Sequence, residues 1–111
     1  MIDLIRDNLD KIRELCERYH VQRLEVFGSA ADGRFRADES DVDFIVEFDP
    51  TVSEELADAF FGLVEALEQL FGRSIDLIML DDRTRVNPYF RREIDKSRQV
   101  IYERSREGVP V

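Results

Sequence analysis

The sequence predicts an α/β domain in which four short strands alternate with three helices, and three observations carry that prediction. Apolar residues recur every three to four positions in three separate segments, which is the period of an amphipathic helix. Between and after those segments lie short runs rich in Val, Ile, Leu and Phe, closed by glycine or by Asp-Pro. The chain has 111 residues, 43% of them apolar, with eight Phe and three Tyr, which is enough for one packed core but not for a second lobe.

Taken in order, Ile2, Ile5, Leu9, Ile12, Leu15 or Cys16, and Tyr19 predict a first helix over residues 2 to 19. Val21 to Phe27 follows as a strand ended by Gly28, with Val21, Arg23 and Glu25 opposed to Leu24 and Val26 and with Phe27 out of phase. A loop with an Asp32-Gly33 turn leads to a second strand through Phe44-Ile45-Val46, closed by Asp49-Pro50. Ser53 is the expected N-cap of a second helix, because Glu54 and Glu55 behind it suit the helix dipole. Leu56, Phe60, Leu63, Leu67 and Leu70 form the stripe of that helix, and Gly72 is its C-terminal stop. Ser74 to Leu80 predicts a third strand, Asn87-Pro88 opens a third helix reaching about Lys96, and Gln99 to Tyr102 forms a final strand. Tyr89, Phe90 and Tyr102 are expected in the core, and His20 at a helix boundary. An exposed Phe61 beside Phe60 would mark a hydrophobic partner surface.

Composition excludes several classes of function. Nothing approaches the roughly 20 apolar residues that span a bilayer, and the first ten residues are too acidic for a signal peptide, so a cytoplasmic protein is expected. Cys16 is the one cysteine, which excludes an internal disulfide and a multi-cysteine zinc site and leaves a buried structural thiol as its expected role. Net charge is −9, unfavourable for a free-standing nucleic-acid binder. The charge is uneven: residues 37 to 82 carry fourteen acids against the base Arg73, whereas residues 83 to 106 carry eight bases against three acids. Either these are solvated faces with local ion pairing, or the acidic segment meets metals or a basic partner and the basic one a triphosphate or an RNA-bearing assembly.

The chemistry concentrates between residues 26 and 48. Side chains alternate across a strand, so Asp41 and Asp43 point to one side with Val42 turned to the other, and two carboxylates held this way can share divalent cations. The Gly28-Ser29 turn can offer backbone N–H groups and a hydroxyl to a phosphate, since glycine lets the main chain come close. Together they suggest metal-assisted chemistry on a nucleotide. Asp76 lies inside the apolar third strand, where burial without a partner would be costly. Metal coordination or proximity to Asp41 and Asp43 would account for it, and so would a place at a sheet edge in water.

Gly28-Ser29, Asp41-Val42-Asp43 and Asp76 within Ile75-Asp76-Leu77-Ile78 resemble the DNA polymerase beta-like nucleotidyltransferase superfamily, and the short chain narrows this to its minimal nucleotidyltransferase (MNT) group. The tail from Asn87-Pro88-Tyr89-Phe90-Arg91-Arg92 to Val100-Ile101-Tyr102-Glu103 is similar to the close of such domains, so the resemblance covers nearly all of residues 1–111 as one domain. It implies a mixed sheet of about four strands flanked by helices, with Asp41, Asp43 and Asp76 as catalytic and metal-holding carboxylates for two Mg²⁺ ions. ATP is the implied substrate, with Gly28 and Ser29 cradling its β- and γ-phosphates. The implied partner is an all-helical HEPN ribonuclease toxin, for which the MNT protein is an antitoxin that transfers AMP to a tyrosine. Neutralisation by binding alone, and transfer to a small hydroxyl compound, are the competing expectations. The sequence departs from the usual motif in having eleven residues between Ser29 and Asp41, one more than is common, and Asp32 where arginine is usual. Arg34 or Arg36 is expected to supply the missing phosphate contact.

Overall fold

The computed structural model describes residues 2–32, 41–79 and 87–104. In chain order these form α1 (Asp3–Arg6), α2 (Leu9–Arg18), β1 (Val21–Phe27), α3 (Ser29–Asp32), β2 (Val42–Phe48), α4 (Leu56–Phe71), β3 (Ile75–Met79), α5 (Pro88–Ser97) and β4 (Gln99–Glu103). The strands make one mixed sheet in the order β3-β2-β1-β4. β1 runs antiparallel to both β2 and β4, while β2 and β3 are parallel because α4 carries the chain back between them.

One face of the sheet is covered by α2 and α4. Leu24 and Val26 of β1, Phe44 and Val46 of β2, and Leu77 of β3 pack there against Ile12, Cys16, Leu63 and Leu67. The Phe44 ring stacks on that of Phe71, with centroids 6.0 Å apart. The helices approach closely because Gly62 has no side chain: a Cβ there would lie 2.5 Å from Cε1 of Tyr19. The Cys16 thiol is buried in this core and its pKa is pushed up to about 12 by that burial, as a structural thiol requires.

The other face is covered more thinly. Phe27, Ile45 and Ile94 form a small second core against α5, with Ile78 at its side. This explains the break in the β1 alternation, since Glu25 and Phe27 share this face while Leu24 and Val26 face the larger core. Glu25 is itself buried.

Several elements differ from expectation. The first helix is two, because Asn8 interrupts it: its side-chain Nδ2 donates to the Leu4 carbonyl at 2.8 Å, the acceptor its own backbone N–H would use in a continuous helix, and that N–H bonds to Ile5 instead. Ser53 is not an N-cap. The Asp49 carboxylate accepts bonds from the backbone and hydroxyl of Thr51, holding a turn that delays α4 until Leu56, with Glu55 at the cap position. Gly72 does close α4, in a left-handed conformation. A short helix, α3, stands where a loop was expected; its Ala30 and Ala31 are buried in the larger core, and the Ala30 carbonyl accepts from Ile2. Tyr89 and Phe90 are not core residues but exposed ones, because Ile94 is the buried residue of α5. Tyr102 is partly buried against the larger core, and His20 sits at the α2–β1 boundary with φ of 60°.

Candidate active site

β1 ends and β2 begins at the same edge of the sheet, so their junctions meet there. Phe27 pairs with Asp43 across the antiparallel β1–β2 ladder, and Asp43 pairs with Asp76 across the parallel β2–β3 ladder. Register partners on neighbouring strands project to the same side, which brings two carboxylates together. Asp43 is half-buried, and Asp76 and Asp41 are exposed. Asp76 is therefore exposed, the sheet-edge placement that was one of the two its apolar neighbours left open. β3 is an edge strand, and Asp76 is both in water and directly beside Asp43.

The acidic pair has an electrostatic consequence. Burial, a hydrogen bond to the Asp76 carboxyl, and the negative charges of Asp76 and Asp41 together push the Asp43 pKa up from its ordinary 3.8 to about 7. Two adjacent carboxylates cannot both ionise cheaply, so Asp43 holds its proton more tightly than an isolated carboxyl does. This all-oxygen, anionic donor set suits a hard divalent ion such as Mg²⁺. Among the described residues no three acidic, His or Cys side chains are placed closely enough to hold a metal ion together.

Gly28 completes the junction. Its φ of 72° lies in the left-handed region, which other residues rarely adopt, and a Cβ here would lie 2.8 Å from Oδ2 of Asp43. Glycine is thus required twice, by conformation and by the approach of the carboxylate. Its backbone N–H has a partner within the chain. That N–H donates to Oγ of Ser97, the last residue of α5, at 2.8 Å. Ser29 follows as the first residue of α3, while Arg34 and Arg36 lie outside the described residues, as does the Asp32 side chain.

Behind this junction lies a polar anchor that sequence reasoning missed. The Glu25 carboxylate is buried on the same face, where Arg98 grips it with two bonds, Nε at 3.1 Å and Nη2 at 2.5 Å, and also bonds Asp95 at 2.9 Å. Those partners hold Arg98 protonated more firmly than usual, despite its partial burial. In sequence, Glu25 reads as the polar half of a strand alternation and Arg98 as part of a basic tail. Other basic residues of that tail are also paired, Arg91 with Asp95 and Lys96 with Glu93 within α5, Arg104 with Asp49 at 55 positions' distance, and Arg92 sits 5.7 Å over the Tyr89 ring.

The model of the family described as "Nucleotidyltransferase domain" matches residues 9–104. The chain belongs to this family. A provisionally named protein adenylyltransferase of Methanocaldococcus jannaschii is 35% identical over 97 residues, 83% of this chain and 89% of that protein. The protein adenylyltransferase MntA of Thermococcus cleftensis is 42% identical over 69 residues, 60% of this chain and 64% of its own. Among solved structures, one described as a minimal nucleotidyltransferase superposes with a TM-score of 0.65 at 28% identity, covering 87% of this chain and 92% of that one. A tri-AMPylated HEPN toxin of Shewanella oneidensis in complex with its MNT antitoxin contains a chain that matches with a TM-score of 0.55 at 18% identity, covering 89% and 72%, a likeness of fold. The mixed four-stranded sheet and the enzyme class of nucleotidyl transfer thus agree with expectation. Among the described residues no helix is long and apolar enough to cross a membrane.

Proposed function

We propose that this chain is a metal-dependent protein adenylyltransferase that moves AMP from ATP to a tyrosine of an all-helical HEPN toxin, and so acts as its antitoxin in the cytoplasm. The observation that carries the reading is the Asp43–Asp76 pair with Gly28 against it, in a chain whose relatives are named protein adenylyltransferases. Asp41, Asp43 and Asp76 are the carboxylates that would hold Mg²⁺, and the half-buried Asp43 would be ionised in that state. When bound, the metal ions neutralise the triphosphate and make its α-phosphorus a better electrophile.

In the transfer the tyrosine oxygen attacks the α-phosphorus, the bond from that phosphorus to the bridging oxygen breaks, and pyrophosphate leaves with the electron pair. Asp76, the exposed member of the pair, lies where an incoming hydroxyl can reach it and takes the phenolic proton. Ser29 presents its hydroxyl to the β- and γ-phosphates, and Arg34 and Arg36 complete their neutralisation. Gly28 contributes by its lack of a side chain rather than by its N–H.

The test is incubation with ATP labelled at the α-phosphate, Mg²⁺ and the HEPN protein encoded beside this chain. The expected result is label on a HEPN tyrosine, lowered at least about 100-fold in Asp41→Ala/Asp43→Ala. An unlabelled partner, or equal labelling by the double variant, overturns the proposal. A double variant that still protects cells would instead favour neutralisation by contact.

A further inference from the structure

We propose that Ser97 is a positioning residue that sets the Gly28-Ser29 turn against the acidic pair, an inference that rests on the reading of this turn as the triphosphate grip. Gly28 is held from two sides. On one, its Cα is so close to Asp43 that a Cβ would lie 2.8 Å from Oδ2. On the other, its N–H is bound at 2.8 Å by the Ser97 hydroxyl, 69 residues away in sequence. A left-handed residue at a strand end has few neighbours to define its orientation, and these two contacts do so.

Ser97 can serve because its own place is firmly determined. Ile94, one turn earlier in α5, is buried in the second core, and its carbonyl accepts from the backbone of Arg98 at 3.0 Å. Arg98, the next residue, is locked onto the buried Glu25 of β1. Gln99 then enters β4 and pairs with Val26 of the same strand. The hydroxyl is thus fixed relative to β1, whose last residue precedes Gly28. The consequence is a division of labour: Ser97 takes the Gly28 N–H, and Ser29 is left, one residue on, as the donor next to the carboxylates.

The experiment compares Ser97→Ala and Ser97→Thr with wild type. Gly28 amide exchange is followed by NMR, Mg·ATP binding is titrated without acceptor, and transfer kinetics are measured with the HEPN partner. Loss of one neutral hydrogen bond should weaken ATP binding and raise the KM for ATP about threefold to tenfold. It should also speed Gly28 exchange at least about tenfold, leave kcat and Tm near wild type, and be reversed in Ser97→Thr, which restores the hydroxyl. Unchanged Gly28 exchange in Ser97→Ala, equal impairment of both variants, or a fall in kcat and Tm without a change in KM overturns the inference. Should wild type transfer nothing, the adenylyltransferase reading fails, while amide exchange and the ATP titration still decide the role of Ser97.

Discussion

The two faces of the sheet are stabilised by different means. The face under α2 and α4 is an apolar core of interlocking Leu, Ile, Val and Phe side chains, several with no exposed surface. The face under α5 has a core of Phe27, Ile45 and Ile94 with Ile78 at its side, and it also carries the acids Glu25 and Asp43. Glu25 and Asp43 stand two strand positions apart in effect, since Glu25 pairs with Ile45 and Ile45 follows Asp43 by two residues. Glu25 is neutralised by Arg98, with Arg23 at 3.4 Å, whereas Asp43 is surrounded by further carboxylates. One acid on this face is therefore paired with bases, and the other lies beside further acids. Among the described residues this face is covered more thinly, which leaves Asp76 exposed and Asp43 half-buried where a long amphipathic helix would seal them in.

The largest stability effect should come from the apolar face. Leu63→Ala removes a fully buried side chain and should cost about 3 to 4 kcal/mol by denaturant unfolding, with the activity of the remaining folded protein unchanged. A cost under about 1 kcal/mol would mean that this face is not the main source of stability. Arg98→Ala should follow at about 3 kcal/mol, because it leaves Glu25 buried and unpaired, and Glu25→Gln/Arg98→Met should recover much of that loss. Equal loss in the single and double variants would show that the pair acts through packing rather than charge.

The smallest effect should have the opposite sign. The folded-state pKa of Asp43 is raised to about 7 from 3.8, so the folded protein binds this proton more tightly than the unfolded chain does. The resulting stability is fully present below pH 4 and is lost as pH rises through about 7. Asp43→Asn should therefore match wild type near pH 4 and exceed it by about 1 kcal/mol at pH 8, a figure discounted for the solvent that reaches a half-buried group. Chemical denaturation at the two pH values checks this, and a stabilisation that is the same at both would refute the acidic-pair account. Millimolar Mg²⁺ should narrow the gap at pH 8 by binding the ionised pair in wild type.

The legibility of the two faces differs in the same way. Leu63 and Leu67 could be placed in the core from periodicity alone, since an apolar stripe at helical spacing has few other uses. The strands were legible because short runs such as Phe44-Ile45-Val46 bury both sides. Tyr89 and Phe90 were misplaced because aromatic character signals burial only when another element is there to cover it: Tyr89 lies in solvent, and Phe90 meets the Phe27 ring only edge-on at the rim of the second core. The break at Asn8 was missed because the apolar spacing continues through it, while the interruption is a side-chain hydrogen bond that periodicity does not record.

Asp41, Asp43, Gly28 and Asp76 could be nominated from sequence because carboxylates and a Gly-Ser pair at strand boundaries or within an apolar strand stand out from their surroundings, although only Asp43 and Asp76 lie on strands. What sequence by itself determined was therefore local: element types, the apolar stripe of each helix, and the residues with the chemistry for metal and phosphate. Tertiary structure alone decided that Asp76 lies across from Asp43, that Ser97 takes the Gly28 N–H, and that Arg98 neutralises Glu25. These contacts join residues 33, 69 and 73 positions apart. Their formation depends on strand order and register, which follow from how the whole core packs and not from any local pattern.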